Sequence, residues 1–71
     1  MVRFVLAVKR RFFDISQPEK YRQLLYHLVE YRNGRISMDG VLDGIKAVLH
    51  GHPDLVGHFN SLMPSALHIT D

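Results

Sequence analysis

Apolar side chains recur along this chain at spacings of three and four, as they do when helices press one face onto a shared core. Phe4, Val5, Val8 and Phe12 predict a first helix over about residues 2–13. Tyr21, Leu24, Leu25, Leu28 and Val29 predict a second over about 17–32. Val41, Leu42, Ile45, Val48 and Leu49 follow an i, i+1, i+4, i+7, i+8 stripe and predict a third over about 38–50. Leu55, Val56, Phe59, Leu62 and Met63 predict a fourth over about 53–63, with a short extended tail after Pro64.

The residues between these runs are helix punctuation. Ser16 and Glu19 have capping-box spacing at the start of the second helix, and Pro18 is tolerated in that first turn. Asn33 and Gly34 accept the left-handed conformation that ends a helix. Ser37 is a candidate cap for the third helix, with Asp39 at the positive end of its dipole. Gly51 ends that helix, and Pro53 with Asp54 opens the last. Connections this short imply antiparallel neighbours, hence an all-α up-and-down four-helix bundle. Gly44 and Gly57 fall inside helices, where glycine costs about 1 kcal/mol relative to alanine, so both are expected at close helix approaches.

The first two helices carry more apolar surface than one core needs. A helix facing a single core shows an apolar arc of ~100° or somewhat more. At ~100° per residue, Tyr31, Leu24, Leu28, Tyr21, Leu25 and Val29 span roughly 160° of the second helix, and Tyr26 widens it. Val2, Phe4, Val5, Leu6 and Val8 likewise cannot all face one neighbour of the first. The last two helices show the ordinary narrower stripe. Surplus apolar surface on adjacent helices suits an amphipathic helix from a partner.

Composition narrows the picture further. The 71 residues make one domain, and 46 % hydrophobic content marks a folded chain. The absence of cysteine removes disulfides and Cys-based zinc sites and suits a reducing compartment. No apolar run approaches the ~20 residues that cross a bilayer, and no small-residue cleavage site follows apolar Met1–Val8, so neither membrane insertion nor secretion is expected. The net charge of +2 is unevenly spread: residues 1–35 hold eight Lys/Arg against three acids, and residues 36–71 one Lys against four acids. Such asymmetry steers an acidic partner.

Chemistry-bearing constellations are sparse. His50 and His52 straddle a helix stop with no third ligand at fixed spacing, so no metal or other cofactor is expected. Asp39, Asp43 and Asp54 sit at helix starts or on exposed faces, and no Gly-rich phosphate loop is present, so the chain is not expected to be an enzyme. Lys9, Arg10, Arg11, Lys20 and Arg22 offer an alternative reading as a small basic nucleic-acid-binding domain. The run is short and lacks an aromatic ladder or recognition-helix pattern, which makes direct nucleic-acid binding the weaker reading.

The segments VKRRF (8–12), YRQLLYHLVEYR (21–32) and RISMDGVLDGIKAVLHGHPDLVGHFNSLMP (35–64) together resemble the paired amphipathic helix (PAH) domain of SIN-type transcriptional corepressor scaffolds, most of all its first repeat, and LAVK (6–9) resembles plant members. The GHPDL turn followed by FN, an apolar pair and proline is the most specific piece, and the resemblance runs from residue 2 to about 69. It implies a left-handed up-and-down four-helix bundle that works in the nucleus. Such a bundle docks an amphipathic helix of a transcriptional repressor and links it indirectly to histone deacetylase. By position, the groove would be lined by Val2, Val5 and Lys9 on the first helix and by Leu24, Leu25, Leu28, Val29 and Arg32 on the second. Phe4, Val8, Phe12, Tyr21, Val41, Ile45, Leu49, Leu55 and Phe59 would form the core, and His52 would cap or pack in the turn between the third and fourth helices. In three respects the chain departs from the family. The FDISQP connection is about two residues longer than the resemblance implies, the first helix starts directly after Met1, and one domain stands where scaffolds carry several, as expected of an excised segment or a stand-alone competitor.

Overall fold

The computed structural model describes residues 2–70. Its helices are α1 (Val2–Asp14), α2 (Pro18–Arg32), α3 (Met38–Leu49) and α4 (Pro53–Leu62), followed by a single 3-10 turn at Ser65–Leu67. Each boundary falls within one residue of the periodicity. α1 packs on α2 and α4, and α3 packs on the same two helices, which closes a four-helix ring. Ring contacts fix the directions. Phe12 near the end of α1 meets His52 at the start of α4, while Phe4 near its start meets Phe59. Phe13 meets Tyr21 across the α1–α2 connection. Sequential helices therefore run up and down.

Phe4, Val8 and Phe12 are one helical row of α1 and are wholly buried, with Leu24, Val41, Ile45, Val48, Leu49, Leu55, Val56 and Phe59 completing the floor. Tyr21, expected in the core, packs half-buried at its margin because its ring leans on Phe13. Gly44 marks a close approach: a β-carbon there would lie 2.6 Å from the His27 ring of α2. Gly57 does not. It is exposed with nothing within 4 Å of its missing β-carbon, so the expectation of a close approach there is corrected.

Local chemistry explains where the helices stop. α2 ends in a Schellman motif: the Arg35 N–H donates to the Glu30 carbonyl at 2.9 Å and the Gly34 N–H to that of Tyr31 at 3.0 Å, with Gly34 at φ 74°. Ser37 caps α3, its Oγ accepting from the Gly40 N–H at 3.2 Å. The capping box expected at Ser16 is absent. α1 closes in a Schellman motif of its own, Gln17 N–H to Phe12 carbonyl at 2.7 Å and Ser16 N–H to Phe13 carbonyl at 3.1 Å. Ser16 is thereby held at φ 60°, while an N-cap needs extended backbone, and Gln17 precedes α2 with no side-chain cap. The α1–α2 connection houses that turn.

The tail is more structured than its composition suggests. After the 3-10 turn the chain folds back and buries Ile69. The Asn60 amide pairs with the Ile69 backbone like a neighbouring strand, its Nδ2–H donating to the carbonyl and its Oδ1 accepting from the N–H, both at 2.9 Å.

Candidate partner-helix groove

Eight large apolar side chains stay exposed among the described residues, and seven of them lie at or before Tyr31. Only Leu62 belongs to the later helices. The excess read from the helical wheels is therefore real surface, and its position follows from the turn of each helix. With Phe4, Val8 and Phe12 pointing inward, a step of ~100° per residue puts Val2, Val5, Leu6, Lys9 and Phe13 on the side of α1 toward α2. Phe13 confirms that side by touching Tyr21, the ring centroids 5.9 Å apart. On α2 the side facing back carries Leu25, Leu28, Val29 and Arg32. Leu28 and Val5 are half-buried and form the bottom of the strip, while Val2 at 74 % exposure and Val29 at 51 % stand at its edges.

Of the residues expected to line the groove, Leu24 is corrected. It is 0 % exposed, because its position on α2 points beneath the strip into the four-helix floor, so it supports the surface without offering any. The other seven lie on the α1–α2 face. Leu6 and Phe13, each 49 % exposed, extend it, though the positional carry-over omitted them. The spacing of four, three and four residues through Val2, Leu6, Lys9 and Phe13 was the available signal. A half-open apolar pocket of about 120 Å³ lies elsewhere, among α2, α3, α4 and the 3-10 turn, walled by Leu28, Tyr31, Met38, Leu42, Met63 and Leu67.

Charge around the strip is one-sided. Lys9, Arg22 and Arg32 are exposed along it. Glu30, the acid in the second half of α2, is turned into an ion pair with Arg35 at 3.1 Å and is almost completely buried. Arg11 leaves the strip altogether and pairs with Asp54 on α4. That guanidinium hydrogen-bonds the Asp54 carboxylate and holds it below the usual carboxylate range.

Four histidines make local contacts. The His27 ring fills the notch over Gly44, His58 packs edge-on against Phe4 at 5.6 Å, and the Nε2 of His68 lies 2.9 Å from the Met63 carbonyl. His52, expected to cap or pack, packs: its ring is edge-on to Phe12 at 5.0 Å, and its Nδ1 accepts from Arg11 at 3.1 Å.

Residues 19–63 match the family model of the paired amphipathic helix repeat. The chain is 34 % identical over 67 residues to paired amphipathic helix protein Sin3-like 6 of Arabidopsis thaliana, covering 94 % of this chain and 6 % of that protein. It is 31 % identical over 67 residues to paired amphipathic helix protein Sin3-like 1 of the same plant, covering 94 % and 5 %. It thus spans only about one-twentieth of the length of these relatives. No solved structure matches it.

Proposed function

We propose, from the premise that the chain belongs to the paired amphipathic helix family, that it is a non-catalytic docking module of transcriptional corepression. An amphipathic helix of a nuclear repressor lies along the α1–α2 strip and places residues at i, i+3 or i+4, and i+7 against Val2, Val5, Leu25 and Leu28. In this reading any link to histone deacetylase is indirect, through the larger assembly. The observation that supports it is the concentration of exposed apolar side chains on α1 and α2, bordered by basic residues.

Affinity comes mainly from burial, at ~25 cal/mol per Å² of apolar surface removed from water, less the cost of ordering the incoming helix. Lys9, Arg22 and Arg32 select a helix with acidic flanks and speed its encounter. The test is a calorimetric titration with a synthetic amphipathic helical peptide that carries leucines on one face and glutamates beside them. Saturable binding, little changed by salt, is expected, and Val2→Asp or Val29→Asp should abolish it while far-UV helicity survives. Both residues are largely exposed, so neither change endangers the fold. An unaltered Kd in both variants refutes the site. Salt-sensitive binding to random duplex DNA, with no peptide binding, refutes the function in favour of a nucleic-acid partner.

A further inference from the structure

The α1–α2 strip has two unlike ends. At the Val2–Arg32 end, Val2 is the most exposed large apolar residue of the described chain, and Arg32 is exposed in the last turn of α2. At the other end Phe13, in the last turn of α1, and Tyr21, in the first turns of α2, meet in a T-shaped pair that bridges the two helices. Lys9, one turn back along α1, has its Nζ 5.9 Å from the centroid of the Phe13 ring. The ring is thus held from two sides although half of it faces solvent. The Ser16 turn begins just beyond and carries the backbone across from one helix to the other.

We infer that the Phe13–Tyr21 pair is an end wall that fixes where a docked helix must stop, so the strip reads the length and the polarity of its partner. This rests on the docking reading above. A bound helix running along α1 has the stretch from Val2 to Phe13, about 16 Å or three helical turns at 1.5 Å per residue. Its terminal apolar side chain packs on the exposed face of Phe13. A carboxylate one turn away from that side chain pairs with Lys9, whose ammonium already lies along the aromatic ring. A partner extended past the Val2 end overhangs it, whereas one extended the other way meets the aromatic pair, the one ring pair bridging α1 and α2 among the described residues.

The experiment uses three synthetic peptides: a twelve-residue amphipathic helix with acidic flanks, and the same helix extended by one bulky turn at its N-terminus or at its C-terminus. Each is titrated into the whole chain, into Phe13→Ala and into Val29→Asp. One extension, and only one, should weaken binding to the unaltered chain, by roughly tenfold, and Phe13→Ala should remove that penalty. Equal tolerance of both extensions, or a penalty that survives Phe13→Ala, overturns the end wall. If Val29→Asp binds the core peptide as well as the unaltered chain does, the strip itself is not the site, and that failure is distinct. Circular dichroism of Phe13→Ala checks that α1 remains helical.

Discussion

The two halves of this bundle treat apolar residues differently. On α3, Val41, Ile45, Val48 and Leu49 are buried, and on α4 Leu55, Val56 and Phe59 are buried with Leu62 alone left out. On α1 and α2, Val2, Leu6, Phe13, Tyr26, Val29 and Tyr31 remain in water. The same division appears in charge, since the basic residues crowd the half with the exposed apolar surface. One half finishes the core, and the other both contributes to the core and keeps a second face. An isolated bundle gains nothing from that face, since exposed apolar patches of this kind favour association. The docking role proposed above would account for it.

The sharpest way to break this comparison lies in two adjacent residues. Phe12 is wholly buried and Phe13 is half exposed. Phe12→Ala should cost about 3–5 kcal/mol in urea denaturation, enough to unfold much of so small a bundle. Phe13→Ala should cost about 1 kcal/mol or less and act instead on binding. Similar losses for the two would erase the distinction between core and docking face.

The two mid-helix glycines give the next largest effect, with opposite signs. Gly44→Ala drives a methyl into the His27 ring and should destabilise by about 1–3 kcal/mol unless α2 and α3 separate. Gly57→Ala meets nothing and should stabilise by up to about 1 kcal/mol through helix propensity. Thermal melts of the pair test both. Ser16→Gly relieves a left-handed serine and should raise stability by about 0.5–1 kcal/mol, seen as a small rise in Tm without change in peptide affinity.

The smallest effect concerns pH. Arg11 lowers the Asp54 carboxyl in the folded state relative to the unfolded chain, so the folded form binds the proton less readily. The resulting stabilisation is present above the ordinary carboxylate range and is lost as pH falls through the depressed folded value. The pair is exposed, so the contribution is slight. Asp54→Asn should flatten part of the acid limb of the stability profile while leaving the neutral-pH melt nearly unchanged.

Much of this was legible before any coordinates. Periodicity gave four helices to within a residue, Gly44 read correctly as a close approach, and Ser37 as a cap. The misreadings have separate physical causes. Ser16 satisfies two local patterns at once, and the backbone chose to close α1 rather than open α2. Leu24 and Leu28 lie only ~40° apart on the helical wheel, too little for periodicity to say which one points under the strip. The Ile69 return depends on Asn60 acting as a surrogate strand, which needs residues nine apart to meet in a geometry no period encodes. The exposed apolar surface of α1 and α2 was readable as a surplus, but its aromatic end required knowing that Phe13 faces Tyr21.

The Arg11–Asp54 clasp joins residues 43 positions apart, whereas His27 and Gly44 meet across a single short connection. Closing the longer loop costs more chain entropy, so α2 and α3 should associate early and α1 should swing onto α4 late. A contact made after the rate-limiting step leaves the refolding rate unchanged and governs the lifetime of the native state. The clasp is in that sense a weak timer: without Arg11 the bundle should assemble as fast as before and come apart only slightly sooner.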